Sequence, residues 1–347
     1  MNRKLELGIL LAHRWCAAAG VVVFFLFAVT TARGGEVASS RRLTVAYAAV
    51  TGAHVPFFIG RELGLYSKHG LDVELVLAPG SGKVMLLLIG GSSPIVVGAG
   101  TPTIRANLSG ADLVIVAGVN NRVGFSLFTG PKIRTWEDLR GKTIGVTAIG
   151  SSTDFALRYV LKQQGLTPGK DVRILGTGGH RETLAAMKQE LIAGGMVTVL
   201  FKPLARGEGY REHIDLSTSG LELQTSAIVT TRRFAETEAG VVRRFLMSYI
   251  EAIHAYKTRK AEAKKIIAKY GGVTNPEQLE QNYVYYLGIF KELPVPTLAG
   301  LKVEQEIMAE TDPKAREYDL RRAVDLTFLQ QIEASGFVRK LYEEGRQ

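Results

Sequence analysis

Cysteine is almost absent from the sequence: only Cys16 occurs among its 347 residues. This residue lies in an N-terminal segment that has the features of a cleaved leader, so the remaining chain would hold no thiol. That excludes disulfides, thiolate metal sites and a cysteine nucleophile. A chain of this length can be exported without disulfides because it buries a large core.

Signatures of enzymes and metal sites are also missing. The six histidines form no H-E-x-x-H pattern and no close pair, so we expect no metal ion. The stretch "PGSGKV" is not a phosphate-binding loop, because Leu77 and Val84 occupy the positions of the required Gly and hydroxyl residue. No G-x-S-x-G elbow is present. We therefore expect no cofactor and no enzymatic activity.

The net charge is +10, but the basic residues are not arranged for nucleic acid. They are interleaved with acids, as in "KTRKAEAKK" (Lys257–Lys265), and no basic stripe with aromatic residues is present. The pattern is typical of a solvated surface. It excludes a nucleic-acid partner, while the positive field favours anionic small ligands.

The N-terminus has the pattern of a secretory signal. A basic start, "MNRK", precedes the apolar run Ala17–Val29, and a small residue, Ala32, follows it. The apolar run is shorter than the roughly 20 residues that span a bilayer. We predict that residues 1–32 form a cleaved signal peptide and that the protein works in the periplasm. The alternative is an N-terminal membrane anchor.

Strand and helix patterns alternate along the rest of the chain, which predicts parallel sheets in an α/β architecture. The predicted strands are "LTVAYA", "LDVELVLA", "IVVGAG" and "DLVIVAG" before Trp136, and "KTIGVT", "DVRILG" and "MVTVLF" after it. From Ala239 onward the pattern becomes helical, with apolar residues on one face at Val242, Phe245, Leu246, Tyr249, Ile250 and Ile253.

Two extended segments connect the two sets of strands, and we expect them to form a hinge. They are Gly124–Trp136 and Leu221–Phe234. Two crossings imply two lobes with a ligand cleft between them. We predict a first lobe from residues 41–126, a second lobe from 127–224, and a return to the first lobe, with C-terminal helices, from 225–347.

Polar loops follow most of the predicted strands, where open α/β sheets bind ligands. Each loop alone is typical of an ordinary turn, but their position at the same strand ends predicts a shared site. These loops are "VTGAHVPFF" (Val50–Phe58), "PGSG" (Pro79–Gly82), "GAGTPT" (Gly98–Thr103), "VNN" (Val119–Asn121), "GSSTD" (Gly150–Asp154) and "GTGGH" (Gly176–His180).

The stretch "GSSTD" has more hydroxyl groups than a helix cap needs. Ser151 or Ser152 can cap the following helix, and Asp154, three residues after Ser151, completes a capping box. A helix start also favours anions, because its N–H groups are free and carry partial positive charge. We predict a ligand contact here in addition to the cap.

Four segments resemble one family: "RELGLYSKHGLDVELVLAPGS", "LSGADLVIVAG", "WEDLRGKTIGVTAIGSSTDFALRYVLKQQGL" and "VVRRFLMSYIEAIHAYKT". They are similar to the nitrate/sulfonate/taurine substrate-binding proteins of ATP-binding-cassette (ABC) importers, which share a domain with the thiamine-pyrimidine synthase-like proteins. The resemblance covers Leu43 to Lys269. It implies a type II periplasmic-binding-protein fold, in which two α/β lobes joined by a two-segment hinge close on a small molecule in a central cleft.

The resemblance implies a set of ligand contacts in the strand-end loops. Phe57 would form an apolar wall, while hydroxyl and helix N–H groups would hold a sulfonate, carboxylate or nitrate. A carboxylate at Asp154 disfavours a strong anion at that spot unless capping occupies it. The implied contacts are Thr51, His54, Phe57, Gly80, Ser81, Thr101, Asn120, Ser151, Ser152, Thr153, Asp154 and His180.

The function implied is delivery of a small organic or anionic solute to an ABC permease and its ATPase subunit. The solute would be a sulfonate, carboxylate, nitrate or pyrimidine-like molecule, and the protein a monomer that meets the membrane only through the permease. The alternatives are a sensor without transport, or an enzyme of the thiamine-pyrimidine synthase type with His54 or His180 as the reactive group. The fungal synthases carry a cysteine-rich motif that this chain lacks.

The chain departs from the family pattern at two strand starts. The family often has an acidic residue there, in "G-x-I-D", whereas this chain has Ser93 and Val197.

Overall fold

The computed structural model describes residues 40–310 and 312–344. Within them the chain forms ten strands and fifteen helices. The predicted signal peptide, residues 1–32, lies outside the described residues. Along the described part of the chain, no helix combines the length and the apolar character that a membrane span requires.

The first lobe is built on a five-stranded sheet. Its strands are β1 (Arg41–Tyr47), β2 (Leu71–Leu77), β3 (Ile95–Gly98), β4 (Leu113–Arg122) and β10 (Glu222–Thr231). They lie in the order β2-β1-β3-β10-β4. β1 runs parallel to β2 and β3, whereas β10 runs antiparallel to β3 and β4. The helices between these strands are α1 (Val55–Glu62), α2 (Leu65–Lys68), α3 (Ser81–Ile89) and α4 (Gly100–Leu108).

The second lobe repeats this plan. Its strands are β5 (Phe125–Thr129), β6 (Thr143–Val146), β7 (Arg173–Gly176), β8 (Gly194–Thr198) and β9 (Arg211–Asp215), and its helices are α5 (Ser152–Gln163), α6 (His180–Lys188) and α7 (Lys202–Gly207). The strand order is β7-β6-β8-β5-β9. β6 is parallel to β7 and β8, and β5 is antiparallel to β8 and β9.

Eight helices follow β10. They are α8 (Arg232–Thr237), α9 (Ala239–Thr258), α10 (Lys260–Gly271), α11 (Pro276–Leu287), α12 (Leu298–Met308), α13 (Lys314–Glu317), α14 (Thr327–Ala334) and α15 (Phe337–Glu344). The predicted apolar face of α9 is confirmed, because all six of its predicted residues are buried. This face packs on α1, where Phe57 stacks on Tyr249 with ring centroids 4.6 Å apart.

The prediction of parallel sheets is wrong in one respect, because both sheets are mixed. The antiparallel strands are the ones that cross between lobes, β5 and β10. Pairing with β10 also extends β4 through Asn120 and Asn121, which were predicted to lie in a loop after that strand. The predicted lobe limits at 126/127 and 224/225 fall inside β5 and β10 and stay predictions.

Ser93 joins the two neighbouring strands β1 and β3. Its side chain is buried, and Oγ accepts a hydrogen bond from the Ala46 N–H at 2.8 Å. The hydroxyl donates its single proton toward two carbonyl oxygens, that of Ile95 at 2.8 Å and that of Thr44 at 3.1 Å. At the position where the family often has an acidic residue, the Ser93 hydroxyl therefore accepts the hydrogen bond from the Ala46 N–H.

We predict that Ser93→Ala lowers the free energy of unfolding by about 1–3 kcal/mol, because it leaves the buried Ala46 N–H without an acceptor. Urea unfolding followed by circular dichroism measures the change. Ser92→Ala is the matched control, since Ser92 is exposed and such surface changes usually stay within about 0.5 kcal/mol. Equal stabilities for the two variants would contradict the assigned role.

Candidate ligand-binding site

Loops from both lobes enclose a cavity of about 40 Å³ at their junction, here called the interlobe cavity. It lies beyond the carboxyl ends of the parallel strands, as expected for an α/β sheet. Its polar lining consists of Thr51, His54, Ser81, Asn120, Thr147, Ser151, Ser152, Thr153, His180, Thr198, Thr225, Ser226 and Tyr286. Its remaining lining consists of Ala48, Ala49, Ala53, Gly80, Gly98 and Phe125.

Most of the residues predicted as ligand contacts meet at this cavity. They come from loops that are far apart in sequence, which the fold brings together. These residues are Thr51, His54, Gly80, Ser81, Asn120, Ser151, Ser152, Thr153 and His180. That they contact a ligand stays a prediction.

Three of the predicted contacts lie elsewhere. Phe57 is buried in the core against α9, so it forms no wall of the cavity. Thr101 lies at the start of α4 and contacts the buried carboxyl of Glu304, whose pKa burial raises well above its usual range. Thr101 and Asp154 line a different cavity, between α4, α5 and α12.

Both carboxylate oxygens of Asp154 accept hydrogen bonds, one from α5 and one from the loop before it. It accepts hydrogen bonds from the Gly150 N–H at 2.7 Å and from Arg158 Nε at 2.8 Å. The negative charge is therefore held by the cap and by a cation, and it does not line the interlobe cavity. The objection that Asp154 raised to an anionic ligand no longer applies.

The hydroxyls of "GSSTD" divide into two kinds. Ser151 is the N-cap of α5, and its Oγ accepts from the Asp154 N–H at 3.5 Å and donates to the Ala148 carbonyl at 2.7 Å. Thr153 Oγ1 accepts from the Thr147 N–H at 3.0 Å. By contrast, the Ser152 hydroxyl makes no hydrogen bond to any residue that the structure describes, and Ser152 lines the cavity.

Both cavity histidines are uncharged at neutral pH. Burial lowers the pKa of His54 to about 4, against a smaller opposing effect of its hydrogen bond to the Ala49 carbonyl. Burial likewise lowers the pKa of His180 to about 4, against a smaller opposing effect of its hydrogen bond to the Met196 carbonyl. His54 is 4% exposed and His180 5% exposed, so neither ring is hydrated enough to carry a charge.

Helix starts supply the positive potential that side chains do not. Gly80 and Ser151 are the N-caps of α3 and α5, and Gly179 is the N-cap of α6, directly before His180. Each start presents free N–H groups and partial positive charge. Of the described residues that line the cavity, none carries a formal charge at neutral pH. The site can therefore bind an anion through dipoles and hydroxyl groups alone.

Several lining residues were not predicted. Thr147 directly follows strand β6 and Thr198 ends strand β8, so the rule that found the other loops would have found them. Thr225, Ser226 and Phe125 lie on the crossing strands, and Tyr286 lies on α11. No local sequence pattern distinguishes these four from ordinary strand and helix residues.

Two α/β lobes with two crossings and a buried polar cavity at their junction define the periplasmic-binding-protein fold, which confirms the predicted fold class. A family profile described as "NMT1/THI5 like" matches residues 51–263, more than half of the chain. The chain belongs to the NMT1/THI5-like family. The predicted resemblance to the nitrate/sulfonate/taurine substrate-binding proteins is confirmed.

Solved structures of the same fold cover most of the chain. A structure from Bordetella bronchiseptica RB50 is 18% identical, with a TM-score of 0.77 over 86% of this chain and 98% of that one. The alkanesulfonate-binding protein SsuA from Xanthomonas axonopodis pv. citri, bound to MOPS, is 20% identical, with a TM-score of 0.68 over 82% of this chain and 98% of that one. At these identities the likeness concerns the fold.

Among curated proteins, YtlA of Bacillus subtilis (strain 168) is 25% identical over 179 residues. The match covers 50% of this chain and 51% of YtlA. The chain thus matches about half the length of this relative.

We predict that Ser152→Ala weakens binding of an anion about 5- to 30-fold, the equivalent of about 1–2 kcal/mol, with little change in melting temperature. The reason is that Ser152 offers the cavity a hydroxyl that has no hydrogen-bond partner among the described residues. Ser151→Ala should instead lower stability by about 1 kcal/mol, because it removes the cap. Thermal unfolding and calorimetric titration with methanesulfonate separate the two effects.

If Ser152→Ala binds the anion as tightly as the parent, the prediction fails and the stretch acts only as a helix cap.

Proposed function

We propose that the protein binds a small organic anion between its lobes and delivers it to an ABC permease. The observation that carries this proposal is the interlobe cavity, which is lined by hydroxyl groups and helix starts and by no charged side chain of the described residues. Such a lining donates hydrogen bonds to an anion and leaves no carboxylate to repel it.

A second, adjoining cavity supports an organic solute over a purely inorganic one. This adjoining cavity has a volume of about 220 Å³ and shares Ala48, Ala49 and His180 with the interlobe cavity. Apolar side chains, including Leu77 and Phe201, contribute most of its walls. We infer that the acidic head of the solute occupies the interlobe cavity and that its apolar body extends into the adjoining one.

The size of the interlobe cavity implies that the lobes move. About 40 Å³ holds a few water molecules, less than an organic anion needs. We infer that the lobes separate about the crossings near β5 and β10 to admit the solute and then close on it.

Delivery to a permease is supported by the family and by the predicted signal peptide. The chain would be exported, would act as a monomer in the periplasm, and would reach the membrane only through the permease and its ATPase subunit. The MOPS-bound alkanesulfonate-binding protein SsuA shares the fold and supports a sulfonate or carboxylate head.

Binding of a graded series of anions tests the proposal. We expect affinity to rise from methanesulfonate to butanesulfonate, by about fourfold per methylene buried, the equivalent of about 0.8 kcal/mol each. Nitrate should bind more weakly than butanesulfonate. Leu77→Ser should reduce the affinity for butanesulfonate and leave that for methanesulfonate unchanged, as measured by calorimetric titration.

Leu86→Ser is the matched control, because Leu86 is 70% exposed on α3 and lines neither cavity. It should alter neither affinity. If nitrate binds as tightly as butanesulfonate, the inference that the solute has an apolar body in the adjoining cavity is rejected. Binding of a pyrimidine in place of every anion would favour a ligand of the synthase type.

A specific contact favours the enzymatic alternative, and it deserves a direct test. Ser226 Oγ lies 3.0 Å from His54 Nε2, and His54 Nδ1 lies 2.5 Å from the Ala49 carbonyl oxygen. A serine next to an oriented histidine is the arrangement of an activated nucleophile. However, burial holds the pKa of His54 at about 4, which makes its imidazole a weak base at neutral pH.

We therefore predict that Ser226 does not react as a nucleophile. A fluorophosphonate probe, followed by intact-mass measurement, should leave the parent protein unlabelled at pH 7, as it leaves Ser226→Ala unlabelled. If the parent protein is labelled stoichiometrically and both Ser226→Ala and His54→Gln abolish the labelling, Ser226 is a nucleophile. That result would overturn the proposal that the protein acts only by binding a solute.

A further inference from the structure

His180 is the one cavity histidine with an unused ring nitrogen. Its Nδ1 lies 3.4 Å from the Met196 carbonyl oxygen, to which it donates its proton. This hydrogen bond leaves Nε2 with a lone pair, and Nε2 has no hydrogen-bond partner among the described residues. The ring stands between Phe125 and Phe201, with each ring centroid 6.1 Å away.

His54 is saturated by comparison. Its Nδ1 donates to the Ala49 carbonyl at 2.5 Å, and its Nε2 accepts from the Ser226 hydroxyl at 3.0 Å. A proton that entered the cavity would have to break the second of these bonds to reach His54. His180 can take a proton without losing any contact that the structure contains.

The other groups that face His180 do not offer a competing charge. From α11, Tyr286 lines the cavity, and burial raises its pKa to about 12. On α6 itself, Arg181 donates to the Gly271 carbonyl and lies over the Phe201 ring, 5.2 Å from its centroid. Lys202, which follows Phe201, is paired with Asp215 at 2.5 Å.

The strands packed against His180 contribute no charged side chain from the residues that face it, Phe125 of β5 and Met196 of β8. Arg181 and Glu182, the next two residues of α6, line the adjoining cavity and not the interlobe one. An anion in the interlobe cavity would thus have no permanent counter-charge beside it.

His180 also occupies the boundary between the two cavities, since it lines both. In the binding mode proposed above, the acidic head of the solute would lie within reach of the Nε2 side of the ring. Of the three residues that line both cavities, Ala48, Ala49 and His180, only His180 has a polar side chain.

We propose that the solute binds as an anion together with one proton, which His180 takes up and keeps at Nε2, so that Nε2–H donates a hydrogen bond to the acidic head. The proton comes from solvent, the Nδ1–H bond to Met196 is kept, and the resulting imidazolium supplies the counter-charge that the empty site lacks. This inference rests on the proposed anion-binding function.

The direction of the pH dependence follows from linkage. In the empty protein burial keeps the pKa of His180 near 4, and a neighbouring anion raises it. Between these two values, binding takes up a proton. Affinity therefore increases as pH falls through that window, by up to tenfold per pH unit, and becomes independent of pH above it.

Calorimetric titration with methanesulfonate between pH 5 and 8 tests the proposal, because this probe stays anionic throughout. Runs in two buffers of different ionisation enthalpy measure the protons taken up. We expect tighter binding at lower pH and an uptake that approaches one proton per anion. His180→Gln should bind with a pH-independent affinity. His254→Gln, a histidine on α9 outside both cavities, should behave as the parent.

If His180→Gln does not fold, ¹⁵N NMR of the histidine rings in the parent protein still tests the proposal. In the ¹⁵N-labelled parent at pH 6, the Nε2 signal of His180 should move from the unprotonated to the protonated range when methanesulfonate is added.

The possible failures are distinguishable. Binding with no pH dependence and no proton uptake would overturn the inference and leave the anion-binding function standing. A pH dependence that persists in His180→Gln would overturn it as well. If no sulfonate, carboxylate or nitrate binds at any pH, the proposed function fails, and the inference fails with it.

Discussion

Each sheet of this protein is completed by a strand that arrives from the other half of the chain. β5 follows the first four strands of the first sheet but lies between β8 and β9, and β10 follows the second sheet but lies between β3 and β4. The crossings are therefore anchored by central hydrogen-bonded ladders and not by sheet edges. Because both crossing strands begin at the junction of the lobes, Phe125, Thr225 and Ser226 reach the interlobe cavity. The position of the cavity is a consequence of this exchange.

The sequence predicts those residues of the site whose position depends only on a strand and the helix that follows it. Gly80, Ser81 and the "GSSTD" stretch follow apolar strands and start helices, so their place at the strand ends needs no long-range information. Ser226 and Tyr286 reach the cavity only through the strand exchange and the packing of α11. The prediction that Phe57 forms a wall of the cavity is wrong for a related reason. Because α1 begins at Val55, Phe57 lies on the face of this helix that packs against α9.

That the described residues of the cavity lining include no charged side chain has an energetic rationale. A permanently charged side chain in so enclosed a space would pay a large desolvation penalty in the empty protein, unless a buried partner compensated it. Hydroxyl groups and helix starts avoid this penalty because they carry no net charge and because they form hydrogen bonds with one another. The Thr147, Ser151 and Thr153 hydroxyls do so, with Oγ atoms 2.8–3.1 Å apart. Such a network holds its geometry with no ligand present, so little reorganisation is needed on binding.

The division of the lining between lobes implies that the proposed binding of an anion would depend on closure of the lobes. Thr51, Gly80 and Ser81 belong to the first lobe, whereas Ser152 and His180 belong to the second. In the proposed opening of the lobes, a bound anion would keep only one of these sets and would gain water in place of the other. The partial charge of a helix start acts over about one turn and is screened by solvent, so the retained set alone binds weakly. Under the proposed function, a site built from dipoles on two lobes would be strong when closed and weak when open, which is the property that the proposed release to a permease requires.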